Sequence, residues 1–349
     1  MEIVKEKIYG QWKEFTLIND KNMSVSVLNY GGIITRILVP DRNGKVENMV
    51  LSYKNYQDYK ANPHYFGAII GRVAGRIQDA AFEIDGKTYS LEANDGDHHL
   101  HGGQAGLHRV IWSVATFETK ETIGLTLTHE SKEAEGYPGN VKIIVTYTLT
   151  NDNELFLNYT ATSDKTTPIA LTNHTYFNLS GDLKHTIHDH FLTIKSSNFA
   201  ELNEELIPTG NLKAVGGSSF DFRNGQLIRE GLNEKSKHNR IASGYDHYFI
   251  FDDVKDEEQV VMAEPNNGRI LTVTTNQPGM VMYTANGLED GLELRENTSR
   301  RHLGVCFETQ GSPASLHHKG FPTILLKPGD LYQHQTVFAF RVKEKAVNP

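Results

Sequence analysis

Val141-Lys142-Ile143-Ile144-Val145-Thr146-Tyr147-Thr148-Leu149 alternates: Val141, Ile143, Val145, Tyr147 and Leu149 face one way, and Lys142, Ile144, Thr146 and Thr148 the other. A side-chain period of two is that of a strand with one buried face. Beyond the turn residues Asn151, Asp152 and Asn153, the positions Leu155, Leu157, Tyr159 and Ala161 resume the alternation, so the stretch predicts an antiparallel hairpin. Working outward, Phe82 to Ile84 and Lys87 to Leu91 flank Asp85-Gly86, the dipeptide that best supplies the positive φ angles of a two-residue turn. Further strand patterns run over Val110 to Phe117, Ile123 to His129, Val260 to Ala263, Arg269 to Thr275, Met280 to Ala285, Gly304 to Thr309 and Gln333 to Val342. Only Gln226 to Lys237 and Asn55 to Ala61 look helical, and both are short. Many strands, few helices and no charged or Pro-rich linker predict an all-β fold, a large antiparallel sandwich or barrel with 1–349 as one domain.

The composition belongs to an ordinary globular chain, with 38% hydrophobic and 22% charged residues over 349 positions. Lys plus Arg number 35 against 43 Asp plus Glu, a net charge of -8, so no basic excess exists to bind nucleic acid. Neither a P-loop nor a dinucleotide fingerprint is present, and no cofactor is expected. The single cysteine, Cys306, forms no internal disulfide and cannot build a multi-thiolate zinc site. No run approaches the roughly 18 apolar residues of a membrane span, and Met1 to Phe15 carries no apolar signal segment, so a cytoplasmic protein without membrane association is expected.

Histidine is the over-represented chemistry, with 16 in the chain. In Asp97-His98-His99-Leu100-His101-Gly102-Gly103 an extended backbone puts His99 and His101 on one side, a spacing that suits two metal ligands, contact with an organic ligand, or a solvated loop. Thr172-Asn173-His174-Thr175-Tyr176-Phe177-Asn178 sets an imidazole among hydroxyl and amide groups beside an aromatic pair, a mixture that contacts polyhydroxylated ligands. In Val305-Cys306-Phe307-Glu308-Thr309-Gln310 the alternation puts Cys306, Glu308 and Gln310 on one face, leaving Glu308 beside an apolar thiol where a carboxylate gains base strength. Gly244-Tyr245-Asp246-His247 offers a carboxylate at a Gly turn, and Arg72 and Arg76 stand four apart, one to pair with a buried acid and the other to reach a ligand. His64, His129, His238, His302 and His334 have no companion acid pattern and read as structural or solvent-facing.

Taken in order, Leu-His-Gly-Gly at His101, Gly136-Tyr137-Pro138-Gly139, Asn173 to Leu179, Gly244 to His247, Thr275-Asn276-Gln277-Pro278-Gly279 and Phe307-Glu308-Thr309-Gln310 resemble the aldose 1-epimerases, the galactose mutarotases. The resemblance covers about residue 25 to residue 342. It implies an antiparallel β supersandwich with an open sugar cleft and an isomerase that interconverts the α and β anomers of galactose or glucose in hexose metabolism. By position it implies Glu308 as general base and His174 as general acid, with Arg76, His101, Tyr176, Asp246 and Gln277 binding the sugar, no metal, and a monomer or homodimer. Two departures stand out: Gly75, where many members have Asn, and the stretch 311–318, and both bear on sugar preference.

Opening a hemiacetal requires one proton to leave the anomeric hydroxyl and another to reach the ring oxygen, so a carboxylate at Glu308 and an imidazolium at His174 form the expected pair. His101 can share the acid's task, and the sequence does not rank the two imidazoles. The alternatives are a glycosidase using Asp246 and Glu308 as paired carboxyls, a carbohydrate-binding protein without turnover, and an epimerase of hexose 6-phosphates, which would need a dedicated cationic cluster beyond Arg72 and Arg76.

Overall fold

The computed structural model describes residues 1–133, 136–233, 236–252 and 257–344. The hairpin of Val141–Thr150 and Glu154–Ser163 forms with Leu149 opposite Leu155 and Tyr147 opposite Leu157, and the odd-numbered positions of its first strand are the buried ones. It is part of a nine-stranded antiparallel sheet in the spatial order Ser113–Glu118, Thr122–Ser131, Val141–Thr150, Glu154–Ser163, Tyr332–Val342, Arg269–Thr275, Val260–Ala263, Phe191–Ile194 and Gln226–Leu227. A six-stranded sheet runs Tyr176–Phe177, Val305–Thr309, Gly279–Tyr283, Asp246–Ile250, Asn198–Leu202 and Pro208–Ala214. A third, the five-stranded meander of Glu2–Tyr9 through Val46–Asn48, pairs its strands in chain order.

The expected all-β architecture is therefore present, and the two large sheets share a core. Phe177, Phe249, Met280, Met282, Val305 and Phe307 of the six-stranded sheet join Leu271, Val273, Phe338 and Phe340 of the nine-stranded one in a single buried cluster. The rings of Phe177 and Phe338 lie 5.0 Å apart. Each such side chain withdrawn from water contributes about 1.5–3 kcal/mol, which fixes which face of the six-stranded sheet points inward. Alternation then sends the intervening residues, Tyr176, Cys306, Glu308, Val281 and Tyr283, to the opposite face.

The Asp85-Gly86 turn joins Ala81–Ile84 to Lys87–Ser90 with φ of 51° and 78°, as the dipeptide predicts. The two helical expectations are corrected. Tyr56–Lys60 is a 3₁₀ turn, since five residues with no side-chain cap do not repay α-helix nucleation. Within 226–237, Gln226–Leu227 is a strand, Arg229–Leu232 is one helical turn, and a second helix, Lys237–Ala242, starts at the Ser236 cap; positions 234 and 235 lie outside the described residues. Gly231 lets the first turn lie against Tyr245, whose hydroxyl would sit 2.0 Å from any side-chain carbon there.

Candidate active site

The outward face of the six-stranded sheet carries two cross-strand rows. Tyr176, Cys306, Tyr283 and Asp246 stand opposite one another on four successive strands, and Glu308, Val281 and Tyr248 form the next row. Over these rows lie two loops. His174 follows Thr172–Asn173, which pairs with Ile69–Ile70, and its backbone N–H donates to the Ala68 carbonyl at 2.9 Å while its carbonyl accepts from Gly67 N–H at 3.0 Å. His101 follows His99–Leu100, which pairs with Arg76–Ile77, and it holds a left-handed φ of 55°, uncommon for a residue with a side chain. The result is a cleft of about 470 Å³ lined by Arg76, His101, His174, Tyr176, Asp246 and Glu308 together with apolar Val281, Leu206 and Ile241.

Six of the seven residues singled out from the sequence thus converge; Gln277 does not. It sits in the turn before Gly279–Tyr283, its Nε2 donates to the Tyr332 hydroxyl at 3.3 Å, and it lines a separate depression with Leu325 and Leu331. Its alternation parity matches Val281, but the strand ends at Gly279 and the turn carries position 277 out of the cleft. The cleft instead gains three further residues, of which His64 and Tyr65 carried no motif. His64, without a patterned partner, reaches the rim with Nε2 2.8 Å from Oε2 of Glu289. Tyr65 packs its ring 4.7 Å from His101 and 5.7 Å from His174. Gln310, already placed on the Glu308 face by alternation, donates through Nε2 to the Ala74 carbonyl at 3.0 Å and leaves its buried Oε1 without a partner.

Arg72 and Arg76 do not divide as expected, since Arg76 both pairs with acids and lines the cleft while Arg72 lies outside it. Arg76 donates to Asp95 at 2.6 Å and to Asp246 at 3.5 Å. Arg72 is buried elsewhere and its guanidinium holds the carbonyls of Lys132, Pro138 and Gly139. Both guanidinium groups are therefore engaged, and neither forms the open cationic cluster that a phosphorylated hexose requires. The two departures from the family pattern meet in the cleft: a side-chain carbon at Gly75 would stand 3.1 Å from Cγ of Pro313 and 3.6 Å from Nε2 of Gln310.

Of the histidine run, only His101 enters the cleft. His99 Nδ1 bonds the Glu92 carbonyl at 2.7 Å, and His98 Nδ1 accepts from the Asp79 N–H at 3.1 Å. Donor atoms of His101, His174 and Glu308 do lie within 4.8 Å of one another. Yet His101 Nδ1 accepts from the Gly75 N–H at 3.1 Å, which puts the ring's proton on Nε2 and turns that nitrogen into a donor where a metal would need a lone pair.

Electrostatically the cleft disfavours charge. Glu308 is 3% exposed and its carboxyl is pushed well above the ordinary range by burial and then by Asp246, with Arg76 opposing. His174 is held down to about 3 by burial, and His101 well below its ordinary value by burial and then by His174. Asp246 is raised by burial and partly restrained by Arg76. His174 Nε2 lies 3.5 Å from Glu308 Oε1. Burial thus works against the expected resting imidazolium at His174. The neutral pair and the carboxylate–imidazolium pair differ only in where one proton sits.

The sequence profile described as "Aldose 1-epimerase" matches residues 13–339. The chain is 38% identical to the galactose mutarotase of Sus scrofa over 95% of each chain, and 30% identical to the maltose epimerase of Levilactobacillus brevis over 95% of each. Its structure is similar to a galactose 1-epimerase from Lactobacillus acidophilus, with a TM-score of 0.87 at 30% identity, covering 98% of this chain and 99% of that one.

Proposed function

The chain belongs to the aldose 1-epimerase family, and from that premise we propose that it interconverts the α and β anomers of D-galactose and D-glucose, with Glu308 as base and His174 as acid. The observation that carries the proposal is the convergence of the Glu308 carboxyl and His174 Nε2, 3.5 Å apart, at one side of a cleft whose remaining polar groups are hydrogen-bonding partners for hydroxyls. One proton moved from Glu308 to His174 creates the carboxylate and the imidazolium together. The carboxylate takes the anomeric O–H proton, the imidazolium protonates the ring oxygen, and the ring opens to the aldehyde. After rotation about the bond from the aldehyde carbon to its neighbour, the two transfers run in reverse and the pair regains its starting state. No electron or group is transferred.

The groups that face Nδ1 of each ring support His174 over His101 as the acid. His101 is tied by Gly75 as an Nε2–H donor, and charging its ring would oppose that N–H, so it holds a sugar oxygen instead of exchanging its proton. His174 Nδ1 faces a sulfur that accommodates either state. Arg76 and Asp246 form a donor and acceptor pair for adjacent hydroxyls, and the apolar Val281, Leu206 and Ile241 take up carbon-bound faces of the ring. A glycosidase reading fares worse, since Asp246, its second carboxyl, is already engaged with Arg76. Polarimetry on freshly dissolved α-D-galactose and α-D-glucose tests the proposal: accelerated relaxation of either sugar supports it, and relaxation at the spontaneous rate for both rejects it. Because the relatives include a maltose epimerase, maltose belongs in the same assay.

A further inference from the structure

Cys306 is the chain's one thiol, and nothing in the proton transfers above calls for sulfur. Its place is nonetheless specific. It lies between Tyr176 and Tyr283 in the cross-strand row beneath the cleft, fully buried, with Sγ 3.5 Å from Nδ1 of His174. His174 is thus held at both ring nitrogens, Nδ1 against Cys306 and Nε2 toward Glu308.

We propose that Cys306 is a positioning residue for His174, its sulfur accepting the Nδ1–H hydrogen bond so that Nε2 is the nitrogen that gains and loses the catalytic proton. This rests on the reading of His174 as the acid. An imidazole that gives a proton to the ring oxygen from Nε2, and takes it back when the ring closes, must keep its other proton on Nδ1 throughout. The group facing Nδ1 must therefore be an acceptor in both ring states. A thiol sulfur is a weak, neutral acceptor. A carboxylate there would also hold the Nδ1 proton, but its charge would stabilise the imidazolium and weaken it as an acid. A neutral sulfur orients the ring without that penalty. Burial, followed by the negative charges of Glu308 and Asp246, raises the Cys306 thiol well above its ordinary value, so the sulfur stays neutral. His101, one ring away at 5.4 Å, has the opposite arrangement, with a backbone N–H facing Nδ1 and its proton fixed on Nε2.

The test uses the full chain with ¹⁵N-labelled histidine, without sugar, and reads the His174 tautomer by long-range ¹H–¹⁵N correlation, assigned through His174→Asn. The inference expects the Nδ1–H form in the wild type and a shift toward Nε2–H in Cys306→Ala. Loss of one orienting hydrogen bond corresponds to about tenfold, so Cys306→Ala is expected to lose about tenfold in kcat with KM within about threefold. Cys306→Ser, whose hydroxyl oxygen can accept the same bond, is expected to retain the wild-type tautomer and kcat within about threefold. A wild-type Nε2–H tautomer overturns the proposal, as does a Cys306→Ala protein with unchanged kcat and tautomer, or equal losses in the alanine and serine variants. If Cys306→Ala does not fold, the wild-type tautomer and the serine variant still decide the matter. Full activity in His174→Asn would instead remove the acid assignment, a separate failure that the tautomer measurement does not share.

Discussion

Nε2 of His174 and Oε1 of Glu308 stand 3.5 Å apart, both side chains nearly excluded from water, on a histidine from a loop and a glutamate from the sheet beneath it. Two groups that each resist charge favour the neutral pair, and the attraction between the charges formed when they exchange one proton offsets part of the cost of forming them. The chemistry assigned to this cleft depends on that exchange.

The pH profile follows from the direction of the Glu308 shift. The working pair holds one proton between Glu308 and His174, and burial with the Asp246 charge raises the Glu308 carboxyl, so that proton is lost, and kcat/KM falls on its alkaline limb, only above the ordinary carboxylate range. Asp246→Asn removes the repelling charge and leaves Arg76 to draw the carboxyl down. The alkaline limb of this variant is expected at lower pH than in the wild type, alongside a raised KM. A limb that stays in place or moves to higher pH would contradict the electrostatic assignment.

Gln277 provides a test of position. It bonds Tyr332 outside the cleft, so Gln277→Ala is expected to keep kcat and KM within about twofold, as substitutions away from a site usually do. Gln310→Ala, by contrast, removes a buried carbonyl oxygen left open in the cleft and is expected to raise KM by about tenfold, the equivalent of roughly 1.4 kcal/mol in one hydrogen bond. Steady-state kinetics on both variants distinguish the two placements.

Much of this was legible beforehand, for identifiable reasons. The alternation of Val141 to Leu149 survives as a buried stripe because one face of its strand meets the core. The same period in Val305 to Thr309 correctly turned Glu308 away from Phe307. What escaped was set by tertiary contact. Gln277 has the right parity, but a turn redirects it; alternation set Cys306 on the Glu308 face but not against a histidine 132 positions away; and the resistance of His174 to charge is a product of burial. The N-terminal meander was not picked out: its first strand is largely open to solvent, but Phe15, Leu17, Val25, Val27, Ile37 and Val39 on the next three are buried.

Stability should depend on acid in a defined direction. Burial holds His108, His174 and His247 down to about 3 and His190 to about 4. Below an ordinary histidine value of about 6.5 the unfolded chain binds protons that these folded rings refuse, so stability is lost as pH falls from there toward the folded values, by about 1.4 kcal/mol per unit for each ring. The raised Glu308, Asp246 and Glu296 carboxyls act in the opposite sense, but they are outnumbered by these four rings together with the lowered His101, His99 and His334. Urea denaturation is expected to show a lower midpoint at about pH 5 than at about pH 7; an equal or higher midpoint would contradict it.

Arg76 links Asp95 to Asp246, and Arg76→Gln leaves the half-buried Asp246 carboxyl without its counter-charge. Its effect is expected mainly on sugar binding, with KM raised by at least about tenfold, the scale of a lost charge-assisted hydrogen bond, and kcat changed much less. Initial-rate kinetics against galactose check this, and a selective loss of kcat would move Arg76 from binding into the proton transfers.

The most direct measurement is the polarimetric relaxation of α-D-galactose by wild type, Glu308→Gln and His174→Asn, each shown to be folded. Acid and base groups contribute typically 10² to 10⁴-fold apiece, so each variant is predicted to lose at least about a hundredfold in kcat. Either variant relaxing the sugar at the wild-type rate would contradict the assignment of Glu308 and His174 as the base and acid.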